Sequence, residues 1–361
     1  MNIRPLSGVL FSTLVLILLL AQCQTAVPSV TLAPPQKPFK QLSEYGFFTG
    51  KLRDLNPNEG VLPYDLITPL FTDYAHKSRF VWMPEGQTAT VDEEGVIEFP
   101  EGTAIIKNFY YPADFSQPTT QINRIETRLL VKLNEEWEAH SYVWDEEEKD
   151  AKLSLVGDLQ AVHWVDEVGI DHDIEYVVPN KNQCKSCHNR DNEIQPIGPK
   201  VRNLNKSITY PDGTQANQLD RWAEMGYLEN AAVKDQFAAV ADWDDPHSGD
   251  LSARAMAYLD VNCAHCHSSR GPAHTTGLYL EANEKEPGHL GICKTPVAAG
   301  KGSGGRKMGI APGLPDSSIM VFRMESLDPG VMMPEIGRVS AHPEGIALIR
   351  EWVASMPTGC P

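Results

Sequence analysis

The sequence predicts an α+β fold, in which an N-terminal antiparallel β-rich domain is followed by a mainly α-helical region. Two observations predict this division. Between residues 44 and 180, short runs rich in β-branched and aromatic residues are separated by turn residues, which is typical of an antiparallel sheet or sandwich. After Pro179 the pattern changes to loops and to segments that repeat apolar residues at helical spacing.

The first residues have the pattern of an export signal. Arg4 precedes the aliphatic run LVLILLL at 14–20, which is too short to span a bilayer comfortably, so residues 1–23 are predicted to be a cleaved signal peptide. Cys23 stands where a lipoprotein carries its lipid, although Gln22 replaces the small residue usual before it, and ordinary cleavage nearby is the alternative. The Pro-rich residues 24–43 predict a flexible tether. We expect an exported, periplasmic protein whose one membrane contact would be a lipid anchor at Cys23.

Seven runs within residues 44–180 predict the strands of the β-rich domain. Each is short and bounded by turn residues, and no long run of helical period competes with them. The predicted strands are 80–82, 95–100, 103–112, 124–133, 138–145, 161–166 and 174–179.

Two copies of one short pattern carry the chemistry of this chain. They are CKSCH at 184–188 and CAHCH at 263–267, and Cys-x-x-Cys-His is the attachment signature of a c-type haem. Two cysteines three positions apart lie on one turn of helix, where both sulfurs can bond the vinyl groups of one porphyrin. The next residue then ligates the iron. The motifs predict two covalently attached haem c groups, bound by Cys184, Cys187, Cys263 and Cys266, with His188 and His267 as iron ligands.

Cys-x-x-Cys alone also occurs in zinc sites and in redox-active thiol pairs. Here the two pairs are too far apart for a zinc ribbon, both carry the trailing histidine, and the chain is predicted to be exported. These features favour haem attachment.

The region after residue 180 divides at the two motifs. Residues 181–247 form a first haem segment, which is entered directly from a strand and contains a helix at 217–225 that Gly226 ends. Residues 248–361 contain a helix at 253–263 with Ser252 as its N-cap, the second motif, a loop with Met-Pro, and a terminal helix at 345–356. This order resembles a class I cytochrome c domain.

The second axial ligand of each iron determines what the haem does, because a methionine suits electron transfer and an open position admits small molecules. For the second haem the candidate is Met333, held next to a proline in VMMPEIG, with the adjacent Met332 as its rival. For the first haem the candidate is Met225. Weaker candidates are His163, His172 and His247, and the site could also lack a protein ligand.

Charge and the remaining cysteines give two further expectations. The formal net charge of −17 argues against nucleic acid as a ligand and favours a redox partner with a basic docking surface, although acidity can also serve only to keep a protein dispersed. Cys293 and Cys360 are left over from the motifs, and in an oxidising compartment they predict a disulfide.

Longer strings in the mature chain carry a resemblance. They are LSEYGFFTG (42–50), GVLPYDLITPLFTDYAHKSRFVWMPEG (60–86), IKNFYYP (106–112), IETRLLV (125–131), YVVPNKNQCKSCH (176–188), PIGPKVRNLN (196–205), ARAMAYLDVNCAHCH (253–267) and MMPEIGR (332–338). Together they resemble a largely uncharacterised family of exported bacterial diheme c-type cytochromes, with class I cytochrome c-like haem domains behind an N-terminal β-rich domain. The resemblance implies two covalent haems, an exported location and an electron-transfer role, and it supplies no substrate.

Three functions follow as hypotheses. The first is a diheme electron carrier of the cell envelope that accepts electrons for a partner oxidoreductase. The second is a haem enzyme of the peroxidase type with an open first haem, although no clear acid–base group accompanies that motif beyond Asp191 and Glu193. The third is a glycan- or partner-binding β domain with accessory haems. Aromatic residues in the strands permit the third hypothesis, though such residues are more often core: Trp82, Tyr110, Tyr111, Trp137 and Trp144.

Overall fold

The computed structural model describes residues 29–34 and 37–360. The predicted signal peptide at 1–23, Cys23 and the first part of the predicted tether lie outside these residues. Within the described part of the chain, no helix is both long enough and apolar enough to cross a bilayer.

Twelve strands precede the first helix. They are β1 Phe48–Thr49, β2 Asn56–Pro57, β3 Leu62–Tyr64, β4 His76–Trp82, β5 Thr90–Val91, β6 Ile97–Glu98, β7 Ala104–Pro112, β8 Ile122–Leu133, β9 Glu136–Trp144, β10 Ala151–Ser154, β11 Asp158–Val165 and β12 Asp171–Val178. Each of the seven predicted strands overlaps one of them, although the run at 95–100 yields only the two residues of β6.

The later residues contain six helices and two small hairpins. They are α1 Lys181–Cys187, β13 Asn189–Arg190, β14 Glu193–Ile194, α2 Val201–Leu204, β15 Ser207–Thr209, β16 Gln215–Asn217, α3 Gln218–Glu224, α4 Leu251–Asn262, α5 Ile319–Glu325 and α6 Pro343–Ser355. The coarse α+β class is therefore confirmed. The helices are short and are joined by long loops, so this region is less helical than the sequence predicts.

Six strands form the main sheet in the order β10-β9-β8-β7-β4-β3, and all neighbours are antiparallel. Side chains alternate between the two faces along each strand, so each face is an apolar layer that must be covered. The two faces are covered by different parts of the chain.

The first face carries Ile106, Leu129 and Tyr142, and the N-terminal residues cover it. Ala33 is buried there, and the hydroxyl of Tyr142 donates to the carbonyl of Phe39 over 2.8 Å. The described residues of 24–43 thus pack on the sheet. This corrects the prediction of a free tether for 29–34 and 37–43, because their apolar side chains supply cover that the face requires.

The second face carries Val81, Ile105 and Leu130, and the segment after residue 180 covers it. Trp222 of α3 is fully buried against this face, and its ring meets the edge of Tyr64 with centroids 6.0 Å apart. One apolar core thus joins the predicted domain 44–180 to the predicted segment 181–247.

The strands β11 and β12 form a separate hairpin that packs at one end of the main sheet. Trp164 of β11 packs on Tyr111, with ring centroids 5.1 Å apart. The chain leaves β12 and enters α1 within three residues, so this hairpin sets where the first motif begins.

The last part of the chain is built on the crossing of α4 and α6. At Gly345 a Cβ atom would lie 2.4 Å from the ring of Tyr258, so only glycine allows the two helices to approach this closely. Helix α4 starts two residues earlier than predicted: its N-cap is Asp250, whose carboxylate accepts from the amide of Ala253 over 2.8 Å, while Ser252 lies inside the helix.

The predicted disulfide between Cys293 and Cys360 is confirmed. It ties the loop after the second motif to the C-terminal end of the chain across a sequence separation of 67. Closing a loop of this length removes freedom from the unfolded chain and so stabilises the folded one.

We expect the double substitution Cys293→Ser and Cys360→Ser to lower the free energy of unfolding by about 2–4 kcal/mol. Urea denaturation of the variant and of the wild-type chain in reducing agent checks this, because the two should give the same lowered midpoint. An unchanged midpoint in both would contradict the prediction.

Candidate cofactor site

The first motif is held at the end of a capped helix. The side chain of Asn180 accepts from the amide of Gln183 over 3.0 Å, and the Gln183 side chain accepts from the amide of Asn180 over 2.9 Å. This capping box starts α1 directly after β12, so Cys184 and Cys187 lie on its last turn. The spacing of three puts both sulfurs on one side of the helix.

His188 follows as the C-cap of α1, and its ring orientation is fixed by one hydrogen bond. Its Nδ1 lies 2.8 Å from the carbonyl oxygen of Gln195, which can only accept, so Nδ1 carries the proton and Nε2 keeps a free lone pair. The amide of Gln195 donates back to the carbonyl of His188 over 2.7 Å. These bonds close the β13–β14 hairpin, in which Asp191 and Asn192 both have positive φ, as a tight two-residue turn requires.

The second motif forms a turn at the end of α4. The amides of Cys266 and His267 both donate to the carbonyl of Cys263, over 3.1 and 2.9 Å. At Gly271 a Cβ atom would lie 2.4 Å from the carbonyl oxygen of Cys266, so the following loop can pack onto this turn only because it has glycine there. In contrast to His188, His267 has a buried Nδ1 without a hydrogen-bond partner among the described residues.

The two motif segments are bonded to each other. The amide of Asp191 donates to the carbonyl of Arg270 over 2.9 Å, and the Arg270 guanidinium pairs with the Asp191 carboxylate over 2.5 Å. Asp191 lies three residues after His188, and Arg270 lies three residues after His267. The two motifs are far apart in sequence, but the segments that follow them are therefore in contact in the fold.

The larger of two adjoining cavities lies between the main sheet and the C-terminal region. It encloses about 1630 Å³, part of it open to solvent. Cys184, Cys187 and His188 line one wall, and strands β4, β7 and β8 line another. Residues of the C-terminal region, including Tyr258 and Arg338, close the far side.

The smaller cavity encloses about 870 Å³, again including open space, and lies within the C-terminal region. Cys263 and His267 line it on one side, and Met320, Met324 and Met333 line it elsewhere. Cys263, Met324 and Met333 also line the larger cavity, so the two spaces adjoin.

Burial keeps the groups of both motifs uncharged. Loss of hydration raises the pKa of Cys187 and of Cys263 to about 12, and lowers the pKa of His188 and of His267 to about 4. Thiols that stay protonated are weak nucleophiles, which argues against a reactive thiol pair. In the described residues no group of three or more His, Cys, Asp or Glu side chains is placed to hold a metal ion, so the zinc alternative gains no support.

The predicted axial ligands differ in where the structure places them. Met333 lines both cavities, whereas its neighbour Met332 is buried and lines neither. Met225 lies at the end of α3 with 40% of its surface exposed and lines neither cavity. The prediction of Met225 as the ligand of the first haem gains no support from this placement, because the face of α3 that packs inward carries Leu219 and Trp222 instead.

The three weaker histidine candidates also lie away from both cavities. His163 and His172 belong to the β11–β12 hairpin and pair with its carboxylates, and His247 is in an exposed loop. Side chains with lone pairs that do line the larger cavity include His140, His265 and His342, none of which the sequence analysis singled out. Of these, His265 has a buried Nδ1 without a partner in the described part of the chain.

One arginine holds the loop that presents Met333. The buried Arg338 guanidinium donates to the carbonyls of Met333, Met324, Ser326 and Ser340 over 2.9–3.1 Å. These bonds fix the loop against α5 and set where the Met333 side chain lies.

Sequence reasoning also missed a row of basic residues on the second face of the sheet. Arg79, Lys107 and Arg128 lie on β4, β7 and β8 and line the larger cavity. The available signal was Lys107, a charged residue on the same face of β7 as Ile105 and Phe109. The three residues are aligned by strand pairing, which cannot be predicted from the sequence of each strand alone.

The residues present suit the group that the motifs predict. Cys184, Cys187 and His188 line the larger cavity, Cys263 and His267 line the smaller one, and the His188 imidazole is already fixed with Nε2 free. Comparison with protein-family models, curated proteins and solved structures finds no match to this chain.

A buried carboxylate joins the β-rich domain to the C-terminal region. Asp73 accepts from the amides of Val339 and Ser340 over 2.9 and 2.8 Å and from the Ser340 hydroxyl over 2.7 Å. We expect Asp73→Asn to lower the free energy of unfolding by about 2–3 kcal/mol, because the amide leaves buried donors unsatisfied. Asparagine also tolerates the positive φ of this position.

Asp145→Asn is the matched control, since Asp145 accepts backbone amides only within the β9–β10 turn. It should cost less than about 1 kcal/mol. Urea denaturation measures both variants, and equal losses would contradict a joining role for Asp73.

Proposed function

We propose that this chain is a diheme c-type cytochrome of the cell envelope that carries electrons for a partner oxidoreductase. The observation that carries the proposal is that both Cys-x-x-Cys-His motifs line cavities that adjoin each other, although they are far apart in sequence. Each bound haem would supply one-electron redox chemistry at its iron.

Different residues of the chain would hold each of the two haems. At the first site Cys184 and Cys187 provide the thiols, and the Gln195 carbonyl orients His188 with Nε2 free. At the second site Cys263 and Cys266 would provide the thiols, and His267 and Met333, which line the smaller cavity, would ligate the iron. The Asp191–Arg270 pair fixes the distance between the two sites, as a carrier of electrons between them requires.

The partner would be a protein with a basic docking surface. The β11–β12 hairpin, residues 158–178, contains six carboxylates and no lysine or arginine. Leu159, Val168 and Ile170 are exposed on the same hairpin, so an acidic face with apolar contacts lies next to the first motif. Export and a lipid anchor at Cys23 remain predictions from the N-terminal sequence.

A haem enzyme is the second candidate function. The observation in its favour is that both methionines of the larger cavity, Met324 and Met333, also line the smaller one, so the first site has no methionine of its own. An EPR spectrum of the oxidised holoprotein separates the two functions. Two low-spin signals would support the electron carrier, and one high-spin signal would indicate an open iron and support the enzyme.

The β-domain binding protein has less support. Three of the five aromatic residues that suggested it, Tyr111, Trp137 and Trp144, are buried in core clusters. They pack the sheet and offer no surface to a glycan.

We expect the wild-type chain, produced with a working haem-attachment system, to carry two covalent haems. The double substitution Cys184→Ala and Cys187→Ala should leave one, because each motif serves its own cavity. The pyridine haemochrome assay on denatured protein counts them. A single haem in the wild type, or none lost in the variant, would contradict the proposal.

Met333→Leu should lower the reduction potential of the second haem by about 59 mV or more, a tenfold change for one electron, since a methionine ligand raises the potential. Met332→Leu is the matched control, because leucine keeps the volume of a buried methionine that lines neither cavity. Spectropotentiometric titration measures both variants. A larger shift in the control would assign the ligand to Met332 instead.

A further inference from the structure

Three positive side chains stand directly opposite one another in the wall of the larger cavity. Arg79 on β4 is paired in register with Lys107 on β7, and Lys107 is paired with Arg128 on β8. All three line the cavity that also contains Cys184, Cys187 and His188. Like charges directly opposite across strands repel, so this row is unfavourable unless an anion lies against it.

The protein supplies only part of the compensating charge. Asp65 pairs with Arg79 over 2.8 Å but is shared with Lys206 at 2.9 Å, and the buried Glu126 pairs with Arg128. Lys107 has no carboxylate partner and no hydrogen bond within the described residues, and its ammonium only lies 4.8 Å from the ring centroid of Phe109.

Besides the unpaired charge of Lys107, a hydrogen-bond donor of Arg79 also lacks a partner among the described residues. Arg79 is 95% buried, yet its Nε has no hydrogen-bond partner in the described part of the chain. Burial, followed by the charges of Arg79, Lys77 and Arg128, holds the pKa of Lys107 well below its ordinary value. A buried donor without a partner and a partly buried cation without a counter-charge both cost free energy, and a bound anion would reduce both costs.

We propose that the row Arg79–Lys107–Arg128 is a carboxylate-binding site that takes the propionates of the first haem. The inference rests on the proposed function, because the propionates arrive with the group that Cys184 and Cys187 hold. Lysine and arginine form charge-assisted hydrogen bonds with carboxylates, and two propionates would supply the negative charge that the row lacks. The β-rich domain would then be part of the first haem site, with its central strands forming one wall.

The test uses the full chain with both haems attached and the substitution Lys107→Met, which keeps the apolar stem and removes the charge. The first haem is identified as the one lost when Cys184 and Cys187 are replaced by alanine. Its reduction equilibrium constant should fall about tenfold in Lys107→Met, which is a shift of about 59 mV to lower potential. The shift is downward because a nearby positive charge favours the reduced iron.

Two further variants control for folding and for general charge effects. Lys107→Arg keeps the charge and should leave the constant within about threefold of the wild type. Lys132→Met removes a lysine that lies on the same face of β8. The Lys132 side chain lines neither cavity and donates to the carbonyl of Phe99 over 2.8 Å. This variant too should leave the constant within about threefold, as expected for a charge farther from the site.

Three results would overturn the inference while leaving the haem count intact. They are an unmoved potential in Lys107→Met, an equal shift in Lys132→Met, and a change of the first haem from low spin to high spin in Lys107→Met, which would make Lys107 an iron ligand. Saturable shifting of the wild-type potential by inorganic phosphate, abolished in Lys107→Met, would assign the row to a free anion instead and would also overturn it. A wild-type chain without covalent haem would overturn both this inference and the proposed function.

Discussion

The second face of the main sheet is the constraint on which the rest of the structure depends. Val81, Ile105 and Leu130 form an apolar layer. Ile97 and Phe99 of the β-rich domain pack in its core cluster, and the segment after residue 180 adds Trp222 and its neighbours to the same cluster. Burying one such large side chain contributes about 1.5–3 kcal/mol, so this contact favours packing of the segment on the sheet. The first motif is consequently carried onto the sheet, and its cavity lies between two regions that the sequence separates.

The same contact places charged side chains of the sheet in the wall of the larger cavity. A strand that faces solvent can carry a lysine at little cost, whereas Lys107 is in the wall of an enclosed space beside two arginines. Such an arrangement is costly in a purely structural wall, because an apolar residue in the same place would pack better. The cost is understandable where the wall meets an anionic group, and it marks this part of the sheet as belonging to a site.

Local chemistry was predictable from the sequence, and long-range placement was not. The motif residues, the helices around them and the disulfide of Cys293 with Cys360 follow from spacing and composition, which act over a few residues. Met225 lies half-exposed and away from both cavities, which the sequence could not show because helical periodicity gives the face of a helix and not its distance from another element. The tether failed for a related reason: proline content predicts stiffness but cannot show that Ala33 finds an apolar face to cover.

The two sites differ in how they are built, and this difference bears on their roles. The smaller cavity takes Cys263, His267 and Met333 from residues 263–333, and among the described residues the Nδ1 of His267 has no hydrogen-bond partner. The first site draws its walls from the sheet, from α1 and from the C-terminal region, and Gln195 fixes His188. A site enclosed by three regions changes when any one of them moves, so contact of a partner with the adjoining β11–β12 hairpin would act on the first site before the second. The Asp191–Arg270 pair, held by a backbone hydrogen bond and an ion pair, connects the segment after the first motif to the segment after the second.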